Sequence, residues 1–524
     1  MGQLVFQANS GGQTNLVGQN TASTFNLNIP LANGTLVSTG DTGTVTNTML
    51  AGSITNAKLV NSSVTIGSTS VALGATSTTL DGVNIGATTP GTGKFTTLTS
   101  TSDASIHGLT VGQGAGSVST NTAVGASALA ANTTGSGNLA LGYNALNAAT
   151  ADNSNTALGF RALLLQNGGS SNTAVGSDAL HTSTTGTGNI AVGSDAMYFT
   201  TTGSYNVGVG QQALRSNTTA SNNTAVGYQS LNANTTGTRN TATGVNALKA
   251  NTTASDSTAF GANALSVSTG AGNTAVGSYS LFLTTTGQNN TAIGLNSAGN
   301  ITTGTSNSAL GNFALYYTTT ANYNTAIGDS ALFNNTTASN NTAVGYQAGY
   351  TNTTGTGLAA LGYQAGYTNN GNGNTAIGGG NQYIGAALYS NSSGGNNVAV
   401  GSGALTANTA SNNTGVGYAA LTANTSGTFN VALGVSALAS NTTANNNTAV
   451  GYQTAYSVTT GTITALGYQA GYGVTTGTNN ICLGYQAGYN VNVWATGNNG
   501  TYIGTQAGAS STSVSNELVL STGA

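Results

Sequence analysis

Two aspartates mark the first place where chemistry could gather. Asp178 and Asp195 each stand two residues after a glycine, in the phrase Gly-Ser-Asp-Ala, and lie 17 residues apart. If successive copies of that phrase stack as neighbours, the two carboxylates come within about 5 Å of each other, where they repel. A cation could bridge them, or one could carry a raised pKa; two solvated surface acids splayed apart is the plainer reading. His181 lies close by in the same repeat.

Tyrosines form the second candidate. Tyr346, Tyr363, Tyr418, Tyr452, Tyr468 and Tyr485 directly follow a glycine, and Gln-Ala-Gly-Tyr phrases add Tyr350, Tyr367, Tyr472 and Tyr489. Flat aromatic faces in a row can stack on sugar rings while Asn and Gln amides read hydroxyls. The same row can equally be a ladder that stiffens its own structure, with the phenol hydroxyls reaching solvent. Little else is reactive. No His pair has metal-ligand spacing, and Gly-x-Gly lookalikes such as Gly112-Gln-Gly-Ala-Gly116 are expected by chance among 78 glycines. Acids and histidines are too sparse to build a convergent hydrolytic site, so no enzymatic activity and no cofactor are expected.

These side chains are positioned by a repeat. Asn-Thr-Ala-Val-Gly, a small-apolar Ala-Leu segment and an Asn-Thr-Thr-Gly return recur from Asn121 to Gly504 in 23 copies, most of them 17 residues long. A unit that short buries no core by itself, so the copies must stack as a solenoid. In Asn121-Thr-Ala-Val-Gly125 the alternation puts Thr122 and Val124 on one face and Ala123 on the other. Ala-Leu reads as a second short strand, being too short for a helix, and Val and Leu then form two apolar ladders. Asn side chains are suited to amide ladders running rung to rung. At about 4.8 Å per rung the rod is on the order of 110 Å long. The face carrying Ala and Leu is expected to stay partly exposed in a single chain, which association would cover.

Composition narrows the function. Charged residues are 3% of the 524, against 38% hydrophobic, and the net charge is −3. The six basic residues are scattered singly, so neither a nucleic-acid face nor a polybasic membrane patch is expected. No run approaches the length of a membrane span, and the first residues have neither a signal-peptide pattern nor a myristoylation signal. Cys482, the only cysteine, reads as a small buried residue where other copies carry Ala.

The Asn-Thr-Ala-Val/Ile-Gly phrase resembles the left-handed parallel β-roll of YadA-like trimeric adhesin heads, whose unit is 14 residues and not 17. The longer unit resembles repeats of phage tail-fibre proteins that carry an endosialidase-type intramolecular chaperone. The phrases Gly2-Gln-Leu-Val-Phe-Gln-Ala-Asn, Thr42 to Leu59 and Thr89 to Leu98 are similar to phage fibre shafts. Ser515 to Ala524 resembles the strand that precedes the chaperone, which itself is absent: removed on maturation, truncated, or replaced by another protein. The resemblance implies a homotrimer on a virion or other extracellular surface, with a baseplate or adaptor protein at the N-terminal end and a host-surface glycan or protein as receptor.

Three regions are expected: a β-rich shaft over 1–119, the roll over 120–508, and a terminal strand over 509–524. Val71-Ala-Leu-Gly74 reads as an isolated precursor of the roll. The rhythm breaks after Gly378, where the next signature glycine is 23 residues on, and after Gly484, where it is 20 on. Ile384-Gly385 could itself carry the signature within the first break. Insertions in solenoids emerge as loops on one face. Receptor contact is therefore expected at Tyr383, Tyr389 and Trp494 with Tyr346, Tyr363, Tyr468 and Tyr485; Trp494 alternatively plugs the end of the rod. A competing function is an ice-binding or other surface solenoid, although the strand reads Thr-x-Val where ice binders carry Thr-x-Thr.

Overall fold

The computed structural model describes residues 63–66, 69–72, 102–106, 109–381, 383–489, 496–508 and 515–521. The chain divides into two compact units, Met1–Thr99 and Ser100–Ala524. In the first, Ser63–Ile66 pairs antiparallel with Thr69–Ala72. Val71 and Ala72 thus belong to a hairpin and not to a precursor coil.

The second unit is a ladder of the short repeat. Each coil supplies one strand, most of three residues, as in Thr122–Val124, Thr224–Val226 and Thr325–Ile327. Consecutive strands pair parallel and in register, Thr224 beside Thr241 and Ala225 beside Ala242. The pairing runs in chain order from Thr122–Val124 to Leu518–Leu520 and makes an all-β solenoid of about 23 turns. No helix occurs among the described residues, so none is long and apolar enough to cross a membrane. The first rung is covered by a hairpin: Leu109–Gly112 pairs antiparallel with both Ala104–Ile106 and Thr122–Val124. Asp103 ties the open end of the hairpin by accepting the backbone N–H groups of Gln113 and Gly114 at 2.8 and 3.1 Å.

Alternation along each strand selects one residue for the interior, and it is Ala. Ala225, Ala242 and Ala259 are fully buried, as are Ala247 and Leu248 of the following segment. Cys482 takes the strand-Ala position and is buried there, and its thiol pKa is pushed up to about 12 by desolvation. The outward positions are the apolar ones that remain open: Leu141, Phe260, Leu310 and Leu466 stand 43–58% exposed. This corrects the expectation that the Ala/Leu face needs a partner. The coil closes over that face by itself, and the Thr-x-Val face is the one left in solvent.

Ala-Leu is not a second strand either. Leu231 and Leu248 adopt left-handed backbone, φ 48° and 49°, in a run of turns. Backbone hydrogen bonds still join rung to rung there, Leu231 N–H to Ala247 C=O at 2.9 Å and Ala233 N–H to Lys249 C=O at 3.0 Å. The conformation is costly for Leu, at about 1–3 kcal/mol. It is held because only that turn drives the side chain into the core. The signature glycine has a separate cause: at Gly227, φ 128°, an added Cβ would stand 2.6 Å from the carbonyl oxygen of Gly244 in the next coil.

Buried asparagines tie the coils together. Asn223 donates to Gly237 C=O at 2.9 Å, and its Oδ1 accepts the Asn240 backbone N–H at 2.9 Å. The amide ladder expected from the sequence is therefore present, mainly as side chain to backbone and only in part as amide to amide. In the return turn Thr218 Oγ1 donates to Thr235 C=O at 3.1 Å, and Thr235 to Thr252 C=O at 3.0 Å.

Candidate functional site

The aspartates acquire arginine partners from adjacent coils. Arg161 Nε stands 2.9 Å from Asp178 Oδ1, and Arg215 Nε stands 3.9 Å from Asp195 Oδ2. The cation that the sequence left open is thus supplied by guanidinium groups. His181 Nε2 lies 3.8 Å from Asp178, and its ring stacks on Tyr198 at 4.7 Å. Desolvation pulls the His181 pKa below its ordinary value, opposed by Asp178, so the imidazole is neutral at pH 7. Arg215 also lies over Phe199 at 5.0 Å. Among the described residues no group of three or more His, Cys, Asp or Glu could hold a metal ion. The cluster is a belt of ion pairs and rings across neighbouring coils, without a convergent reactive centre.

The tyrosines form columns at the rung spacing. Tyr346 stacks on Tyr363 at 5.4 Å, and Tyr468 stands between Tyr452 and Tyr485 at 5.2 and 5.1 Å. A longer column runs Tyr316, Phe333, Tyr350, Tyr367, Tyr389, with centroids 5.0–5.5 Å apart and planes within 18° of parallel. Phe333 and Tyr316 were missed in the sequence, although a spacing of 17 back from Tyr350 would have found them. Between the tyrosine columns runs a glutamine ladder, also missed. Gln364 Nε2 donates to Gln347 Oε1 at 2.8 Å, and the series Gln453, Gln469, Gln486, Gln506 repeats the bond at 2.8–3.1 Å. Crowding shows in the phenols: burial, then neighbouring rings, raise the Tyr367 pKa.

Stacked rings have their faces occupied by each other. Inside a column a tyrosine offers only an edge and a hydroxyl, so the two readings of these residues divide by position: interior rings serve the rod, and terminal rings have a face to give. Tyr389 is the last ring of its column. Tyr383 stands apart on the insertion, 85% exposed, its backbone N–H bound by Asn381 Oδ1 at 2.9 Å. The insertion itself is placed by pairing. Thr375–Ile377 lies beside Val398–Val400, and Gly366 N–H reaches Ala387 C=O. Gly378 is therefore the signature glycine, not Gly385, and the extra residues lie between Gly378 and Ala386, where a post-glycine tyrosine would otherwise stand. Trp494 lies outside the described residues.

A scan of protein-family models and a search of curated proteins each find no match to the chain.

Proposed function

We propose that the chain is a structural fibre of the virion tail-fibre or adhesin type: a non-enzymatic spacer that holds a host-binding surface away from its point of attachment. The observation that carries this reading is the outward aliphatic column. Along the third strand position almost every coil presents Val, Ile or Leu, with Leu361, Leu433 and Ile503 between 39 and 49% exposed. Exposed apolar surface of that extent is rare on a soluble monomer, and three copies packed through the column would cover it. The homotrimer thus rests on the Thr-x-Val face. In this reading the N-terminal end joins a baseplate or adaptor protein, and the tyrosine-bearing coils meet a host-surface glycan or protein, on a virion or other extracellular surface. Weak contacts repeated on each chain of a fibre give avidity.

Ice binding is disfavoured by the return turns, where Thr218 and Thr235 spend their hydroxyls on the next coil; absence of thermal hysteresis is the matching measurement. The receptor role is tested by replacing Tyr383, Tyr389 and Trp494 with Ala. β-Sheet content and assembly mass should hold while cell attachment falls; attachment at full strength would place the receptor contact elsewhere. Appearance of reducing ends on incubation with envelope polysaccharides would overturn the non-enzymatic reading.

A further inference from the structure

The geometry points to two sugar-binding clefts per chain, each at an end of a tyrosine column and each selective for an uncharged glycan; this deepens the receptor reading above and rests on it. The first cleft, about 450 Å³, is lined by Tyr363, Gln364, Gly380 and Asn381. Tyr363 ends its column because Gly379 occupies the next place, and a glycine has no side chain to cover the ring. The second cleft, about 190 Å³, is lined by Gln486, Tyr489, Gln506 and Gly508; Tyr489 ends a further column, Tyr456, Tyr472, Tyr489, with its ring 5.4 Å from Tyr472 and tilted by 40°. The same parts recur in both: a terminal tyrosine, a member of the glutamine ladder, a glycine and a further amide. Each occurs beside a break in coil length.

The glutamine ladder gives each cleft a polarity. Among the described residues each glutamine-to-glutamine bond runs from Nε2 to the Oε1 of the preceding coil, which turns each Oε1 towards the following coil. At Gln364 and Gln506 the ladder stops, and among the described residues no donor reaches the last Oε1. A ring hydroxyl is a suitable donor. A pyranose offers an apolar C–H face to stack on the tyrosine and hydroxyls at its rim to meet the amides, a pairing of one flat apolar wall with a few placed polar groups that small-ligand sites commonly use. Charge excludes the alternative. From residue 250 to 524 the chain has no Lys, Arg or His, while Asp256, Asp329 and Glu517 are acidic. A sialic acid, uronic acid or sulfated sugar would find no cation there.

The test is titration of the full chain with uncharged hexose and N-acetylhexosamine disaccharides, read by calorimetry and saturation-transfer NMR, beside the carboxylated and sulfated counterparts. Two variants address the clefts separately. Tyr363→Leu keeps an apolar residue but removes the ring. Gly508→Phe fills the second cleft, where among the described residues an added Cβ meets nothing nearer than 3.8 Å. Uncharged sugars should bind at two sites per chain, each single variant should remove one site, and the double variant should bind at least tenfold more weakly with unchanged β-sheet signal. Binding by the charged sugars alone, no binding across the panel, or full binding by the double variant would overturn the proposal. Cell attachment, measured in parallel, separates the two readings. Wild-type chain that binds sugar but no cell refutes the receptor role alone; a double variant that attaches normally while failing to bind sugar refutes the clefts as the receptor contact.

Discussion

At the scale of single residues the interior is polar where its bonds demand it. Replacing Asn223 by Ala leaves the buried Asn240 N–H without its acceptor, at a cost of about 1–3 kcal/mol. Amide exchange should quicken around residues 206–240, while coils far along the rod keep their protection. His181 makes a pH prediction. Its pKa is lowered in the folded chain, so the unfolded state binds the proton more readily, and stability is lost as pH falls below the ordinary histidine value. Between pH 7 and pH 5 the coils bearing Arg161, Asp178, Asp195 and Tyr198 should loosen, and His181→Phe should remove that pH dependence in a melting series. The sequence made Asp178, Asp195 and His181 legible as a group. Arg161 holds the aspartates' own position, two residues after Gly159 and one coil before Asp178, so a step of 17 would have found it; Arg215, five residues after Gly210, was legible only as a scattered charge.

At the scale of one coil, exchanges of residues are coupled. Where Gln-Ala-Gly-Tyr replaces Ala-Leu, a glycine takes the place of the inward leucine, and the lost volume is restored from elsewhere. A Cβ at Gly471 would run into Ile463, which stands where other coils carry the buried Asn, and one at Gly349 or Gly366 would meet Leu358 in the equivalent place. Gly471→Leu alone should therefore overpack the coil, and Ile463→Asn alone should leave a void. Together they should recover part of the loss, with a coupling of about 0.5–3 kcal/mol in a double-mutant cycle on thermal stability. Gly227→Ala should sever the ladder between two coils, seen as local loss of exchange protection, since its Cβ meets the next backbone. The repeat, the parallel pairing and the asparagine ladder could all be read from the sequence. Which face is inside could not. Alternation separates Ala123 from Thr122 and Val124 without saying which side is enclosed; the narrow interior, which admits Ala opposite Leu, decides it. The left-handed leucines were hidden too, because local preference argues against them and only the packing of the coil enforces them.

At the scale of the molecule the open strand face governs association. Covering the outward column is worth about 1 kcal/mol for each half-exposed leucine, accumulated along the rod. Native mass measurement should give about three times 51.0 kDa. Leu310→Lys with Leu361→Lys should shift the mass towards that of one chain while circular dichroism stays β-rich; a wild-type chain that remains single at micromolar concentration would remove the homotrimer. The hairpin over residues 104–112 has a consequence of another kind. It closes the rung that leaves the ribosome first, so each later stretch of the nascent chain meets a finished strand edge only one coil behind it. Among the described residues no strand pairing waits for a distant segment to be translated, and the loop to be closed stays short along the ladder. Synthesis can therefore proceed as a ratchet, each coil clicking onto the last, and a pause in translation leaves a shorter rod with a single open edge instead of a tangle.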